Sequence, residues 1–240
     1  MNDLTGRRAE LAANLEAVEQ RIESACAESG RSREEITLVV VTKTYPASDV
    51  DLLAELGVTD VGENRHPEAE DKWAEMTHSI RRHFVGGLQT NKAGAVAGYA
   101  DVVQSVDRPK LARSLSRGAE AAGRELGCLV QVDFDAATES GSGSGGRSGT
   151  APGDVDALAA EIAGLPRLRL DGLMTVAPLD ADPRPVFDEL VALSARLRSD
   201  HPGAEVVSAG MSDDFEEAVR AGATHLRVGR SILGERPVLR

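Results

Sequence analysis

Short apolar runs of strand length alternate with helix-like segments along most of this 240-residue chain, and this alternation constrains the fold more than any other feature. The predicted strands are Thr37–Val41, Asp60–Gly62, His83–Gly86, Val102–Val106, Leu129–Phe134, Leu170–Met174, Val206–Ser208 and His225–Val228. The predicted helices between them are Asp49–Leu56, Pro67–Met76, Lys110–Ala122, Asp154–Ala163, Pro185–Leu197 and Asp213–Ala221. A helical connection returns the chain to the same end of a sheet, so we expect the strands to be parallel.

Eight such units in about 200 residues predict an α/β protein, a single (β/α)₈ TIM barrel that takes up the whole chain, 1–240, as one domain. An open, doubly wound parallel sheet is the alternative, because the pattern of the sequence does not reveal whether the sheet closes. Before the first strand, apolar residues recur at steps of three and four. They predict an amphipathic helix within the first thirty residues through Leu11, Leu15, Val18 and Ile22.

One segment breaks the alternation after the fifth predicted strand. Asp135–Pro152 reads DAATESGSGSGGRSGTAP, the composition of a flexible Gly/Ser linker. It contains a formal GxGxxG match at Gly141–Gly146, but a dinucleotide-binding fingerprint directly follows a strand and opens a helix. We therefore interpret the match as low complexity and the segment as a flexible loop.

Composition excludes several classes of function. Lys and Arg number 27 against 39 Asp and Glu, a net charge of −12 that argues against nucleic acid or an anionic membrane as the main partner. No apolar run reaches the roughly 18 residues of a spanning helix and the start lacks a signal core, so we expect a cytoplasmic protein. Cys26 and Cys128 lie far apart in the sequence, so we expect buried free cysteines and not a disulfide. The histidines lack the spacing of metal ligands, which argues against a metal site.

Functional residues of a barrel of this kind gather where the strands end, because the loops that follow the strands converge there. The predicted strand ends supply Lys43, Glu63, Asn64, Gly86, Gly87, Ser105, Asp133, Met174, Ser208–Ser212 and Arg227–Ser231. Glu63 and Asp133 are one hypothesis for this set, as the acid and nucleophile of a glycosidase. No serine lies in a GxSxG motif.

Lys43 is the most informative of these residues because it follows the apolar run Leu38–Val41. Desolvation beside such a strand disfavours the ammonium form, so we expect a lowered pKa and an amine able to attack a carbonyl. The alternative is a lysine whose side chain reaches solvent from the strand end.

The last two predicted strands lead into segments typical of phosphate sites. Ser212 follows the seventh strand and precedes a helix, and Gly229 follows the eighth; loops at these two places bind phosphate in many barrels. Ser212 as an ordinary helix cap is the alternative, and both roles are compatible. An amine at strand one facing a phosphate site at strands seven and eight predicts a receptor for a phosphorylated aldehyde, of which pyridoxal 5′-phosphate (PLP) is the common one.

Five segments, in order, closely resemble the pyridoxal phosphate homeostasis proteins, single-domain relatives of the N-terminal barrel of alanine racemase. They are VTKTYPAS at 41–48, VGENRHPE at 61–68, RHFVGGLQTNK at 82–92, GLMTVAP at 172–178 and SAGMSDDFEEAVRAGATHLRVGRSILGERP at 208–237. The resemblance therefore covers nearly the whole chain.

The resemblance implies that Lys43 forms a covalent Schiff base with PLP and that Arg227 faces the pyridine nitrogen. It also implies that the phosphate and the ring are contacted by Asn64, Ser212, Gly229 and Arg230. A guanidinium only donates hydrogen bonds, so Arg227 favours an unprotonated pyridine and a weaker electron sink. Arg230 departs from the family pattern, which has a small hydroxyl residue at that place.

The resemblance further implies a carrier, not an enzyme: a protein that binds PLP reversibly and buffers or delivers it, in vitamin B6 and amino-acid homeostasis, without turning over a substrate. PLP-dependent apoenzymes are the expected recipients, and we expect a monomer. One alternative is a PLP-dependent amino-acid racemase. It is disfavoured because the only tyrosines are Tyr45 and Tyr99, and Tyr45 lies too near Lys43 in sequence to act from the opposite face. The other alternative is a cofactor-free Schiff-base aldolase.

Overall fold

Eight parallel strands close into a barrel in the computed structural model, which describes residues 2–135, 148–178 and 181–234. The strands are β1 (Thr37–Val41), β2 (Asp60–Glu63), β3 (Arg81–Phe84), β4 (Val102–Val106), β5 (Leu126–Val132), β6 (Leu168–Thr175), β7 (Val206–Ser208) and β8 (His225–Val228). Each strand pairs with the next, and β8 pairs with β1 through Thr37 opposite His225 and Val40 opposite Val228. The predicted (β/α)₈ barrel is confirmed, and the open-sheet alternative is wrong.

Helices surround the barrel. They are α1 (Asn2–Glu28), α2 (Ala47–Glu55), α3 (Glu68–Glu75), α4 (Ala93–Tyr99), α5 (Pro109–Ala122), α6 (Val155–Gly164), α7 (Arg184–Asp200), α8 (Phe215–Ala221) and α9 (Arg230–Leu233). The predicted amphipathic helix is α1, which buries Leu11, Val18 and Ile22. It packs against α2, α8 and α9, so it completes the outer layer beside the short helix that follows β8.

Four strands, β1, β4, β7 and β8, have the predicted bounds, whereas β3, β5 and β6 begin earlier than predicted. The sequence of β3 begins with two arginines, which lack the apolar character by which strands were predicted. Arg81 nevertheless pairs in register with Asp60 of β2. In β5, Gly127 interrupts the apolar pattern. A Cβ atom at Gly127 would lie 2.2 Å from a carboxylate oxygen of Asp171, so this glycine permits a close contact inside a regular strand.

The helix α4 is absent from the sequence prediction because its sequence, AGAVAGY, contains two glycines, which are poor helix formers. Close packing of α4 against α5 explains this composition. A Cβ atom on Gly118 of α5 would lie 2.7 Å from the Cα atom of Gly94 and 3.0 Å from the Cβ atom of Ala97. Tertiary packing thus outweighs the local propensity of the segment.

The main core lies between the strands and the helices. Leu38 and Val40 of β1 belong to it, whereas Val39 lies on the other face of the strand, inside the barrel. Both cysteines, Cys26 and Cys128, are free and buried, as predicted. A second, smaller apolar cluster fills one side of the barrel interior and consists of Val102, Leu129 and Met174, with Val206 packed against them.

Most of the predicted flexible loop, residues 136–147, lies outside the described residues. The end of that segment is bonded to β5, because the Thr150 amide donates to the Gln131 carbonyl at 2.8 Å and the Asp133 amide donates to the Thr150 carbonyl at 2.9 Å. In the ranges that the structure describes, no helix is long and apolar enough to cross a membrane.

We predict that Gly118→Ala lowers the free energy of unfolding by about 1–2 kcal/mol, because the added methyl group overpacks the contact between α4 and α5. Gly98→Ala, on the exposed face of α4, is the matched control. Nothing lies within 4 Å of a Cβ atom there, so the gain in helix propensity should stabilise the protein by about 0.5–1 kcal/mol. Urea denaturation measures both, and equal effects of the two variants would contradict the proposed contact.

Candidate functional site

A cavity of about 690 Å³ opens at the carboxyl ends of the strands. Its lining comes from β1, β8 and the loops that follow β1, β2, β3, β6, β7 and β8. The lining residues are Val41, Lys43, Tyr45, Asn64, Val85, Gly86, Val176, Met211, Ser212, Asp213, Arg227, Gly229, Arg230 and Gly234. All six residues predicted to bind a cofactor, from Lys43 to Arg230, therefore line one cavity.

Lys43 lies in a turn directly after β1. The Tyr45 amide donates to the Thr42 carbonyl at 3.1 Å, and Thr44 between them has a φ of 72°, a conformation that residues other than glycine seldom adopt. The Tyr45 hydroxyl donates to the Gly234 carbonyl at 2.8 Å. The segment that carries Lys43 is therefore fixed at both sides by a tight turn and by a bond to the chain beyond β8.

A buried ion pair holds the start of the same turn. Lys72 of α3 contacts Glu63 of β2, whose carboxylate also accepts a hydrogen bond from the Thr42 hydroxyl at 2.7 Å. The Lys72 ammonium donates in addition to the Thr42 carbonyl at 2.7 Å. Glu63 is only 2% exposed, so this charge depends on its partners in the protein rather than on water.

Gly229 brings the end of β8 against the end of β1, because a Cβ atom there would lie 2.9 Å from the Val41 carbonyl oxygen. Gly210, with a φ of 85°, turns the chain after β7 toward Ser212. The Ser212 hydroxyl accepts a long hydrogen bond, 3.4 Å, from the Ser231 amide at the start of α9. The two loops named as a phosphate site in the sequence analysis are thus in contact with each other.

Arg230 lies at the rim of the cavity and pairs with Asp213 of the neighbouring loop. Its side chain is 62% exposed. It is therefore the most solvated of the predicted cofactor-binding residues, and its charge already has a partner.

Arg227 of β8 is the buried cation of the site, with 5% of its surface exposed. Its guanidinium donates to the Ser208 hydroxyl at 2.6 Å and to the Thr175 carbonyl at 2.7 Å. Burial lowers the pKa of Arg227 to about 10, which leaves it protonated at neutral pH, and Asp214 acts in the opposite direction. Burial also raises the pKa of Asp214, whose carboxylate accepts from the Met211 amide at 2.5 Å.

Other residues at the predicted strand ends do not reach the cavity. Glu63 is bonded to Lys72, Ser105 is buried with an unpartnered hydroxyl, and Asp133 accepts from the Asp135 amide. Neither Glu63 nor Asp133 lines the cavity, so the glycosidase hypothesis has no support in the geometry. Among the described residues, no group of three or more His, Cys, Asp or Glu side chains is arranged to hold a metal ion.

The sequence prediction missed three buried polar residues that lie behind Arg227 and Ser208: Asp60, His83 and Gln104. A signal was present, because these residues stand within predicted strands whose interior positions normally carry Val, Ile or Leu in this fold. An inward polar residue in such a strand indicates either a partner across the barrel or a role in the site.

Comparison with known proteins places the chain first in a class and then in a family. The model for the alanine racemase N-terminal domain matches residues 13–237. The pyridoxal phosphate homeostasis protein of Mycobacterium tuberculosis is 41% identical over 96% of this chain and 94% of its own length. The chain therefore belongs to the alanine racemase N-terminal domain family and, more closely, to the pyridoxal phosphate homeostasis proteins.

Solved structures agree with this assignment. A crystal structure of a protein from Bifidobacterium adolescentis has a TM-score of 0.83 and 29% identity, covering 95% of this chain and 96% of that one. PipY of Synechococcus elongatus, solved with PLP bound, has a TM-score of 0.79 and 28% identity, covering 93% of this chain and all of its own. The family resemblance of the five sequence segments is confirmed.

We predict that Lys72→Met lowers the free energy of unfolding by about 3–5 kcal/mol, because it leaves the Glu63 carboxylate buried without its cation. The double variant Glu63→Gln/Lys72→Met should recover much of this loss, since no buried charge remains. Arg113→Met is the control: Arg113 pairs with Glu161 at the surface, where such a pair contributes less than about 1 kcal/mol. Equal losses for Lys72→Met and Arg113→Met in urea denaturation would contradict the role of the buried pair.

Proposed function

We propose that this protein binds PLP reversibly, with the Lys43 amine condensing with the cofactor aldehyde and releasing water. The observation that carries the proposal is that one cavity is lined by Lys43, by the buried Arg227 and by the two loops that carry Ser212 and Gly229. The Lys43 amine matches the aldehyde of PLP, and the buried donor Arg227 matches the ring nitrogen. The two glycine-containing loops match the phosphate. PLP bound to PipY and the names of the M. tuberculosis relatives support the same cofactor.

Arg227 is proposed to face the pyridine nitrogen. Its guanidinium is held by Ser208 and Thr175 through two of its N–H groups, and the remaining N–H groups are available to a ligand in the cavity. Because a guanidinium donates and does not accept, it pairs with an unprotonated nitrogen. Asn64, which also lines the cavity, is proposed to lie beside the ring.

The phosphate is proposed to bind between the loops after β7 and β8, at Ser212 and the Gly229 backbone. The long Ser231–Ser212 bond leaves the Ser212 hydroxyl able to donate to an anion. Arg230 is proposed as a secondary contact, because a phosphate would have to compete with Asp213 for its charge. Its position on the rim suits a residue that attracts the anion more than one that fixes it.

Buffering and delivery of PLP, with PLP-dependent apoenzymes as recipients, is the function that we propose for this site. PLP supplies an electron sink when bound, and the donor-only contact of Arg227 reduces that capacity. Racemisation also requires proton-transferring groups on both faces of a substrate. The Tyr45 hydroxyl is bonded to Gly234, and Tyr99 is bonded to His66 at 3.0 Å, with its pKa raised by burial. Both tyrosine hydroxyls are therefore already hydrogen-bonded within the protein.

We predict that Lys43→Ala abolishes the covalent PLP adduct trapped by borohydride, because Lys43 supplies the attacking amine. Intact mass and peptide mapping measure the trapped label. Lys92→Ala is the control, since Lys92 donates to the His66 carbonyl at 3.4 Å and does not line the cavity, and it should keep the full adduct. A stoichiometric adduct on another lysine of the Lys43→Ala protein would refute the assignment.

We predict that the PLP-loaded protein has no appreciable racemase activity. Incubation with L-alanine in deuterated water, followed by NMR and chiral chromatography, measures α-hydrogen exchange and D-alanine. Neither should form at the rate of an ordinary enzyme, about 1 per second or more, because both tyrosine hydroxyls are already hydrogen-bonded within the described part of the protein. Turnover at that rate would favour a racemase over a carrier.

A further inference from the structure

A chain of hydrogen bonds crosses the barrel interior behind the site. Arg227 donates to the Ser208 hydroxyl at 2.6 Å, which donates to the Gln104 side-chain oxygen at 2.7 Å. The Gln104 amide nitrogen lies 2.9 Å from His83 Nδ1, and His83 Nε2 lies 2.8 Å from an oxygen of Asp60. We call these five residues the barrel relay.

The barrel relay passes through the barrel and not around it. Ser208 is on β7 and Gln104 is on β4, which are not neighbours in the sheet, so their bond spans the interior. All five residues are buried, whereas the apolar cluster around Leu129 and Met174 fills another part of the interior. Buried polar groups cost free energy unless they are paired. The five side chains of the relay avoid this cost because each is hydrogen-bonded to the next.

The donors and acceptors give the relay one direction. The Arg227 guanidinium only donates hydrogen bonds. The Ser208 hydroxyl therefore accepts from Arg227 and donates its own hydrogen bond to the Gln104 side-chain oxygen. The Gln104 amide then donates to His83 Nδ1, which requires the proton of a neutral His83 to be on Nε2, facing Asp60. Burial raises the pKa of Asp60, but the hydrogen bonds from His83 and Thr59 outweigh it and keep the pKa below its usual value, so Asp60 is an anion.

Each dipole of this row turns its negative end toward Arg227, and the row ends on the Asp60 carboxylate. The arrangement therefore stabilises the guanidinium charge at a place where water reaches little of it. It also fixes the Ser208 hydroxyl, one of the two groups that orient the guanidinium. Without Gln104, that hydroxyl would lose the acceptor that fixes its orientation.

We propose that Gln104, His83 and Asp60 are positioning residues for the ring nitrogen of the cofactor. They act through Ser208 on Arg227 and make the site distinguish a ring with an acceptor nitrogen from one without it. The proposal rests on the function proposed above, in which Arg227 meets the pyridine nitrogen. Gln104 is the critical member, because its side chain bonds both to Ser208 on one side of the relay and to His83 on the other.

The test compares two ligands, PLP and its 1-deaza analogue, in which a C–H group replaces the ring nitrogen. Gln104→Leu keeps the size of the side chain and removes both relay bonds. It should weaken PLP binding about tenfold, the effect expected when the hydrogen bond from the charged Arg227 to the ring nitrogen is lost, and leave binding of the analogue nearly unchanged. Met174→Leu, a change of similar volume in the apolar part of the interior, is the matched control and should alter neither affinity.

Ser208→Ala provides a second variant if Gln104→Leu does not fold, because it interrupts the relay with a smaller change. It should reduce the preference for PLP over the analogue in the same way. An unchanged preference in the folded variants, or equal losses for both ligands, would overturn the positioning role. Failure of the unmodified protein to bind PLP would instead overturn the proposed function and this inference with it.

Discussion

The pairing of β8 with β1 is the interaction on which the rest of the site depends. It closes the barrel and places the loop after β8 beside the turn that carries Lys43. The contact is close because Gly229 has no side chain, and a Cβ atom there would meet the Val41 carbonyl. In an open sheet with the same strand order, these two strands would lie at opposite edges, and the residues of the cavity would not converge.

The cations of Lys72 and Arg227 are both largely shielded from water, and they are stabilised in different ways. Lys72 pairs directly with Glu63; Lys72 donates to the Thr42 carbonyl and Glu63 accepts from the Thr42 hydroxyl, so the pair holds Thr42 at the base of the Lys43 turn. Arg227 instead meets neutral oxygens of Ser208 and Thr175, which leaves N–H groups for a ligand. A direct carboxylate partner would occupy those donors. The Lys72–Glu63 pair is therefore suited to holding the Lys43 turn in place, whereas Arg227 is suited to binding a ligand.

Much of the fold and of the cavity lining follows from local patterns. The alternation of apolar runs and helical segments depends on neighbouring residues, so it predicted the succession of eight strands along the chain and the bounds of four of them. The strand-end rule then collected Lys43, Asn64, Ser212, Arg227 and Gly229, because parallel strands end on the same side. Errors arose where packing outweighs propensity, as in the glycine-rich helix α4 and at Gly127.

The sequence by itself determined the succession of strands and most helices along the chain and the chemical groups that the strand ends supply. Only the tertiary structure decided that the barrel closes and that Glu63 forms an ion pair with Lys72. It also decided that a row of hydrogen bonds connects Arg227 to Asp60. These outcomes join residues that are distant in the chain, and Ser208 meets Gln104 across 104 positions. Periodicity describes which face of its own strand a residue occupies. The partner on that face is fixed by how all eight strands close around a common interior.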